Sequence, residues 1–401
     1  MSNLEQWLSR VWGPGHFIYA KRLSLNDTGG TRAHQAGFYV SKRMAFAIEP
    51  SLQSSIEKNP RVSYACSVNG IAKTKVVNLI YYNSQRFSSG TTRGRDECRF
   101  TGWGGSHWGS SFGPDSTGAM MICAVNPHER EIHVWVANSS AEDETLDLAV
   151  GRLGPREEFV LDLSRQSTDS TESESVSEEW SNLPDRWLQA MPTGAELAEY
   201  IMHQVKPYSG ETVDSMLVRR VRAEYRLFRH LESKLFSRQT NHGFANLETF
   251  LELAKKLVNS RASRAGRSLE LAVRLAFDEN QVHYSWQPQI GEGSIPDFIF
   301  PSTEKYLTRR SNTGHLAVKR TLKERWRGVL QEAKWVRQKN LLTLDTNLSP
   351  SQLLEIANEG IRLVIPGQLQ KELPMEVLSD GDAVTSFSNF IAERLQDQKQ
   401  N

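Results

Sequence analysis

Ser294-Ile295-Pro296-Asp297-Phe298-Ile299-Phe300 is followed, after Pro301 and a polar stretch, by His315-Leu316-Ala317-Val318-Lys319. Both runs are short and apolar with turn residues at their borders, the pattern of strands buried in a sheet. Asp297 precedes the apolar part of the first run and Lys319 closes the second, so adjacent strands bring a carboxylate and an ammonium to one place. A further repeat from about Leu322 to Arg337 has helical spacing. Strand, strand, helix is the expectation here.

Glu196–Ile201 and Leu247–Leu257 also repeat apolar positions at helical period, so the C-terminal half reads as α/β. The N-terminal half differs. Its apolar residues come in bursts, at Phe38–Val40, Lys75–Tyr82, Ala119–Val125 and Ile132–Val136, with glycine-rich turns between, and it reads as β-rich. Between the halves, residues 164–183 crowd Ser, Thr and acidic side chains with little to bury, the composition of a solvated linker. The expected organisation is α+β and multidomain: 1–163, linker 164–183, and 184–401.

A chain of 401 residues exceeds one ordinary core. Lys and Arg total 48 against 47 Asp and Glu, a net charge of +1, so a polyanion partner has to be met by a local patch. Without a long apolar run or a signal-like start, the expectation is a cytoplasmic protein with no membrane partner. Cys66, Cys98 and Cys123 are too few for a disulfide framework and read as free thiols.

Carboxylates holding Mg²⁺ beside one lysine supply what phosphodiester hydrolysis needs: an activated water, charge compensation at phosphorus and a stabilised leaving oxygen. Asp297 and Lys319 fit two of these places. The commonest arrangement has a second acid two positions before the lysine, and here that position is Ala317. Glu332, read on the following helix, can bring a carboxylate to the same space. Arg325, two α-helical turns away, then shares its face, with Gly328 between them leaving room for close approach.

These residues resemble the EcoRII family of restriction endonucleases, within the wider PD-(D/E)xK nuclease superfamily. The resemblance runs over SRAGRSLEL (Ser263–Leu271), IPDFIFPS (Ile295–Ser302) and LAVKRTLKERWRGVLQEA (Leu316–Ala333), and in the N-terminal half over KRLSLNDTGGTRAHQAGFY (Lys21–Tyr39), YYNS (Tyr81–Ser84) and the segment around Glu97–Gly104. It implies catalytic roles for Asp297, Lys319 and Glu332, with Glu270 as a supporting acid, and a metal site at Asp297 and Glu332. It also implies that Lys323-Glu324-Arg325 reads the ends of the target, since Lys and Arg donate to guanine while a carboxylate accepts from cytosine. Arg222 and Tyr225 are the candidates for stacking on a flipped base pair. Val221 stands where relatives carry another arginine.

For the N-terminal half the resemblance implies a DNA-binding pseudobarrel that takes a second copy of the target as effector. His34, Tyr39, Arg93, Arg95, Glu97 and Arg99 are its candidate contacts, with Lys21 and Arg22 as nearby phosphate contacts; the segment from Arg93 to Arg99 reads as a mobile basic loop. The family departures are Cys98 in place of a basic residue and extra residues between Ser84 and Trp103. The expected protein is a Type IIE restriction endonuclease, a Mg²⁺-dependent homodimer without a nucleotide cofactor. It would hydrolyse double-stranded DNA at CCWGG or a close variant to leave 5′ phosphates. The alternatives are a non-catalytic sequence-specific DNA-binding regulator and a structure-specific repair nuclease.

Overall fold

The computed structural model describes residues 3–13, 15–29, 37–71, 74–87, 94–103, 112–150, 153, 157–163, 180, 183–242, 252, 256–257, 267–290, 295–308, 313–322, 325–332, 336, 338–378 and 381–400. The chain forms two compact units, Met1–Thr168 with Asn347–Ser349, and Asp169–Thr346 with Pro350–Asn401.

In the first unit eight strands form one sheet: β1 (Phe17–Arg22), β2 (Gly37–Val40), β3 (Arg61–Val68), β4 (Lys75–Tyr82), β5 (Glu97–Thr101), β6 (Met120–Asn126), β7 (Glu131–Val136) and β8 (Glu158–Asp162). Their order is β2-β5-β4-β3-β7-β6-β1-β8, antiparallel except for the β3–β7 pair. Helices α1 (Asn3–Val11), α2 (Lys42–Ile48), α3 (Pro50–Ser54) and α4 (Ser140–Val150) flank it.

Alternation along β1 and β6 sends side chains into two cores. Phe17, Tyr19, Met121 and Cys123 join residues of β2 to β5 and of α2 and α3 in one cluster. Ile18, Ala20, Ile122 and Ala124 meet Leu4 and Trp7 of α1 and Leu146 of α4 in the other. β6 is therefore buried along its whole length. β2 lies at one edge of the order and β1 next to the other, yet the Tyr19 and Phe38 rings stack at 6.5 Å. The sheet has curled on itself, which is the expected pseudobarrel.

Two sequence expectations change here. Glu97 and Arg99 stand on strand β5 and not on a loop, because Cys98 and Phe100 alternate with them into the core; the charges hid that period of two. Arg22 is buried, with its guanidinium on Asp143, Asp147 and two backbone carbonyls, so it is spent on the fold instead of on phosphate. Cys66, Cys98 and Cys123 are free and buried.

The second unit is built on β9 (Ser285–Trp286), β10 (Phe298–Phe300), β11 (Gly314–Val318), β12 (Lys339–Leu342), β13 (Ile361–Val364) and β14 (Val384–Thr385), in that spatial order. β9 to β11 pair antiparallel and β11 to β14 parallel. Its helices include α5 (Gly194–Gln204), α6 (Val213–His242), α7 (267–279), α8 (Thr303–Leu307), α9 (Pro350–Asn358), α10 (Gly367–Gln370) and α11 (Phe387–Gln400). A reciprocal capping box of Thr193 and Glu196 starts α5. Buried Asp214 of α6 accepts the Phe387 and Ser388 amides and so caps α11.

Leu217 and Val221 of α6, Val273 and Phe277 of α7 and Phe387 and Phe390 of α11 pack on Phe298, Phe300, Leu316, Leu342 and Val364. That core uses one face of β10 and β11. Asp297, His315, Ala317 and Lys319 consequently belong to the other.

Trp180, within the expected linker, is buried with Trp187 and Leu197. Most of Leu247–Leu257 and of residues 164–183 lies outside the described residues. No helix among the described residues is long and apolar enough to cross a membrane.

Candidate active site

β10 and β11 set the first two residues of the site. Pairing of Phe298 with Leu316 aligns the strands, and the Val318 amide donates to Asp297 Oδ2 at 2.7 Å. The Lys319 amide donates to the Leu342 carbonyl at 3.0 Å, holding the backbone just past β11 against β12. From there Lys319 Nζ reaches Asp297 Oδ2 at 3.4 Å and Glu332 Oε1 at 3.5 Å.

Glu332 arrives from outside the sheet. The long α-helix expected over Leu322–Arg337 is a 3-10 segment, Arg325–Gln331, within the described residues, and the Glu332 amide bonds back to Val329 in the same i to i−3 manner. Lys339 Nζ takes the carbonyls of Leu330 and Glu332, which competes with helical hydrogen bonding there. Trp326 and Val329, three apart and both buried, suit either helix type, so periodicity did not separate them. A Cβ added to Gly328 would meet nothing within 4 Å, so the space beside this glycine is open.

His315, one face-repeat before Ala317 on β11, was read from sequence only as a strand residue. Its Nε2 lies 3.2 Å from Glu332 Oε2, and the ring is fully buried. The available signal was parity: His315, Ala317 and Lys319 alternate onto one face.

Glu270, on α7, accepts from Trp286 Nε1 and from Gln287 Nε2, the latter at 2.7 Å. The Gln287 amide bonds the Asp297 carbonyl at 3.0 Å, and the Arg274 guanidinium covers the Trp286 ring at 4.3 Å. Glu270 thus sits beside the trio without hydrogen bonding to any of its members. Neither Trp286 nor Gln287 was singled out by sequence.

Burial pushes the Asp297 carboxyl above the ordinary carboxylate range, against the pull of Lys319 and the Val318 amide. Burial opposes charge on Glu332 too, but His315 and Lys319 outweigh it and hold this carboxyl low. Burial also works against the Lys319 ammonium, yet the two carboxylates prevail and raise its pKa. Glu270 is raised by burial, resisted by Trp286 and reinforced by the charge of Asp297. The result is a lysine firmly charged between two carboxylates of unequal acidity.

Arg222 is exposed and Tyr225 half-buried on α6. Lys323 and Glu324, like His34 and Arg93, lie outside the described residues; Arg325 opens the 3-10 segment. Tyr39 is 41% exposed on β2 and pairs in register with Arg99. Arg99 Nε bonds Glu97 at 3.1 Å on the same outward face, and the Arg95 guanidinium lies 5.5 Å from the centre of the Tyr82 ring. Lys21 pairs with Asp27 at 2.8 Å.

Residues 13–164 match the family model described as "Restriction endonuclease EcoRII, N-terminal", and residues 228–391 match "EcoRII C terminal". The Type II restriction enzyme EcoRII of Escherichia coli is 32% identical over 98% of this chain and 97% of its own length. The Type II restriction enzyme SsoII of Shigella sonnei is 31% identical over 24% of this chain and 35% of its own. Among solved structures, a PspGI–substrate DNA complex has a TM-score of 0.43 at 18% identity, covering 53% of this chain and 95% of that one. Metal-depleted Ecl18kI with uncleaved, modified DNA has a TM-score of 0.44 at 17% identity, covering 52% and 80%.

Fold and full-length similarity define a Type II restriction endonuclease, a site-specific deoxyribonuclease. The chain belongs to the EcoRII family of these enzymes.

Proposed function

We propose that Asp297, Lys319 and Glu332 form the catalytic set of this endonuclease, with Glu270 in support, acting on double-stranded DNA at CCWGG or a close variant to leave 5′ phosphates. The observation that carries the proposal is one ammonium within 3.5 Å of two carboxylates that come from separate elements.

The donor set suits Mg²⁺. Asp297 and Glu332 offer hard carboxylate oxygens, and Asp297 Oδ1 accepts from no donor among the described residues. The described residues contain no group of three or more metal-ligating side chains, so water and phosphate would have to supply the remaining ligands of an ion held by these two carboxylates. Asp297 and Glu332 would hold the ion, which when bound supplies charge at phosphorus and a more acidic water. Lys319 orients the attacking water and offsets charge developing at the phosphate. Fixing Asp297 by the Val318 amide spares the reaction that reorganisation.

Arg222 and Tyr225 are assigned to stacking on displaced bases, and Lys323, Glu324 and Arg325 to base-edge contacts. In the first unit Tyr39, Arg95, Glu97 and Arg99, with His34 and Arg93, are assigned to a second copy of the target that activates cleavage, the Type IIE mode. A palindromic-type target favours a homodimer.

Digestion of a sequenced plasmid with Mg²⁺, followed by mapping of the ends, tests the target and the cut. Asp297→Ala and Lys319→Ala should each slow cleavage roughly a hundredfold to a thousandfold. Wild-type rates in either variant would remove the proposed site.

A further inference from the structure

We infer that His315 is a positioning residue, which fixes the Glu332 carboxylate in its metal-holding orientation by donating from Nε2. The inference rests on the assignment of Glu332 as a ligand and adds a residue to it.

Glu332 needs a post. Its segment is a short 3-10 turn lying outside the sheet, and a glutamate has three side-chain torsions to restrain. Lys339 holds the main chain there, through the Glu332 carbonyl. Among the described residues two side chains hold the carboxylate: Lys319 at Oε1 and His315 at Oε2. Lys319 is itself shared with Asp297 and acts at the phosphate, so it is a poor anchor. His315 has no such duty. It stands in β11, fully buried, with Asn340 Nδ2 bonded to its carbonyl at 3.0 Å.

The ring's contacts set its direction. An ionised carboxylate only accepts, so Nε2 carries the hydrogen that Glu332 receives. Nδ1 is buried without a partner among the described residues. A hydrogen at Nδ1 would leave a buried donor unmade and also strip Glu332 of its bond, so the Nε2–H tautomer satisfies more of the site. Residues that orient a metal-holding side chain in this way commonly change metal affinity roughly 10–100-fold when removed.

Gln and Asn replacements separate positioning from packing. The Gln Nε2 lies as many bonds from Cβ as the His Nε2, whereas the Asn amide stops short. Binding of Mn²⁺ to the full chain without DNA, followed by electron paramagnetic resonance, should be weakened roughly 10–100-fold in His315→Asn. In His315→Gln it should stay within about threefold of wild type. Equal loss in both variants, or wild-type affinity in His315→Asn, overturns the inference. Glu332→Ala separates the two levels: wild-type Mn²⁺ affinity there refutes the ligand assignment itself, while loss there with none in His315→Asn refutes only the role of His315. If His315→Asn does not fold, ¹⁵N-histidine spectra of the wild type decide. An Nε2-protonated His315 that shifts on Mg²⁺ addition supports positioning, and the Nδ1–H tautomer overturns it.

Discussion

Glu332 and Lys319 meet at 3.5 Å between Oε1 and Nζ, though only the lysine follows from a strand of the sheet. The second Glu332 oxygen is on His315. Because His315, Ala317 and Lys319 alternate onto one face, the carboxylate spans the position where Ala317 offers only a methyl group. On the proposed assignment, the glutamate supplies the acid that position 317 lacks. Glu332→Ala should lower single-turnover cleavage roughly a hundredfold to a thousandfold. Adding Ala317→Glu to that variant should restore part of the loss, whereas Ala317→Glu alone should inactivate, because two carboxylates cannot share the space. A double variant no faster than Glu332→Ala would show that the two positions are not interchangeable.

That pairing also marks how far the sequence reaches. Asp297 and Lys319 were legible because apolar runs of strand length carry them, and the observed register joins those runs. The strands around Lys75–Tyr82, Met120–Asn126 and Glu131–Val136 were legible for the same reason. β3 and β5 were not singled out because their inward apolar residues alternate with polar or charged ones, as Cys98 and Phe100 do with Glu97 and Arg99, so no unbroken apolar run marks them; the short apolar runs of β1 and β8 were not singled out either. Glu332 follows from its place after Lys319 together with the resemblance, but the segment before it is 3-10 where a long α-helix is expected. Leu322, Trp326 and Val329 satisfy a helical repeat, but Lys339 claims the carbonyls at its end. Competition of that sort comes from a residue on another strand and leaves no periodic trace.

Asp297 should be a residue whose charge serves function at the expense of stability. Burial raises its pKa above the ordinary 3.8, so folding disfavours its ionised form. The penalty begins near 3.8, grows as pH rises to the folded-state pKa, and is constant above it. Asp297→Asn should abolish cleavage yet raise the melting temperature at pH 7, and the gain should fade as pH is lowered toward 3.8. Chemical denaturation of both proteins over that range measures it. A gain that grew on acidification would reverse the sign and contradict the burial argument.

Arg22 separates folding from DNA contact in the first unit. Its guanidinium lies 2.9 Å from both Asp143 and Asp147 and is almost wholly buried. Arg22→Met leaves two buried carboxylates without their counter-charge, which should cost about 3–5 kcal/mol of that unit's stability. Where the variant remains folded, the salt dependence of its DNA binding should match the wild type. A shallower salt slope with unchanged stability would return Arg22 to the list of phosphate contacts.

Arg99 and Glu97 should divide affinity from selectivity on the outward face of β5. They lie on one face with Tyr39, and the 3.1 Å bond between them holds the Arg99 fork beside a carboxylate acceptor. If this face meets the effector copy of the target, the two substitutions should have different signatures. Arg99→Ala removes a positive charge and should weaken effector binding, with the salt slope reduced by about one if the contact is to phosphate. Glu97→Ala removes only an acceptor and leaves Arg99 less restrained. Its effect should fall on discrimination, about 1–3 kcal/mol against a substituted base pair, because a carboxylate reads the cytosine amino group and is repelled by phosphate. Titrations of matched and singly substituted duplexes at several salt concentrations separate the two. Equal loss of affinity for every duplex in Glu97→Ala would mean that the glutamate only braces Arg99 and reads no base.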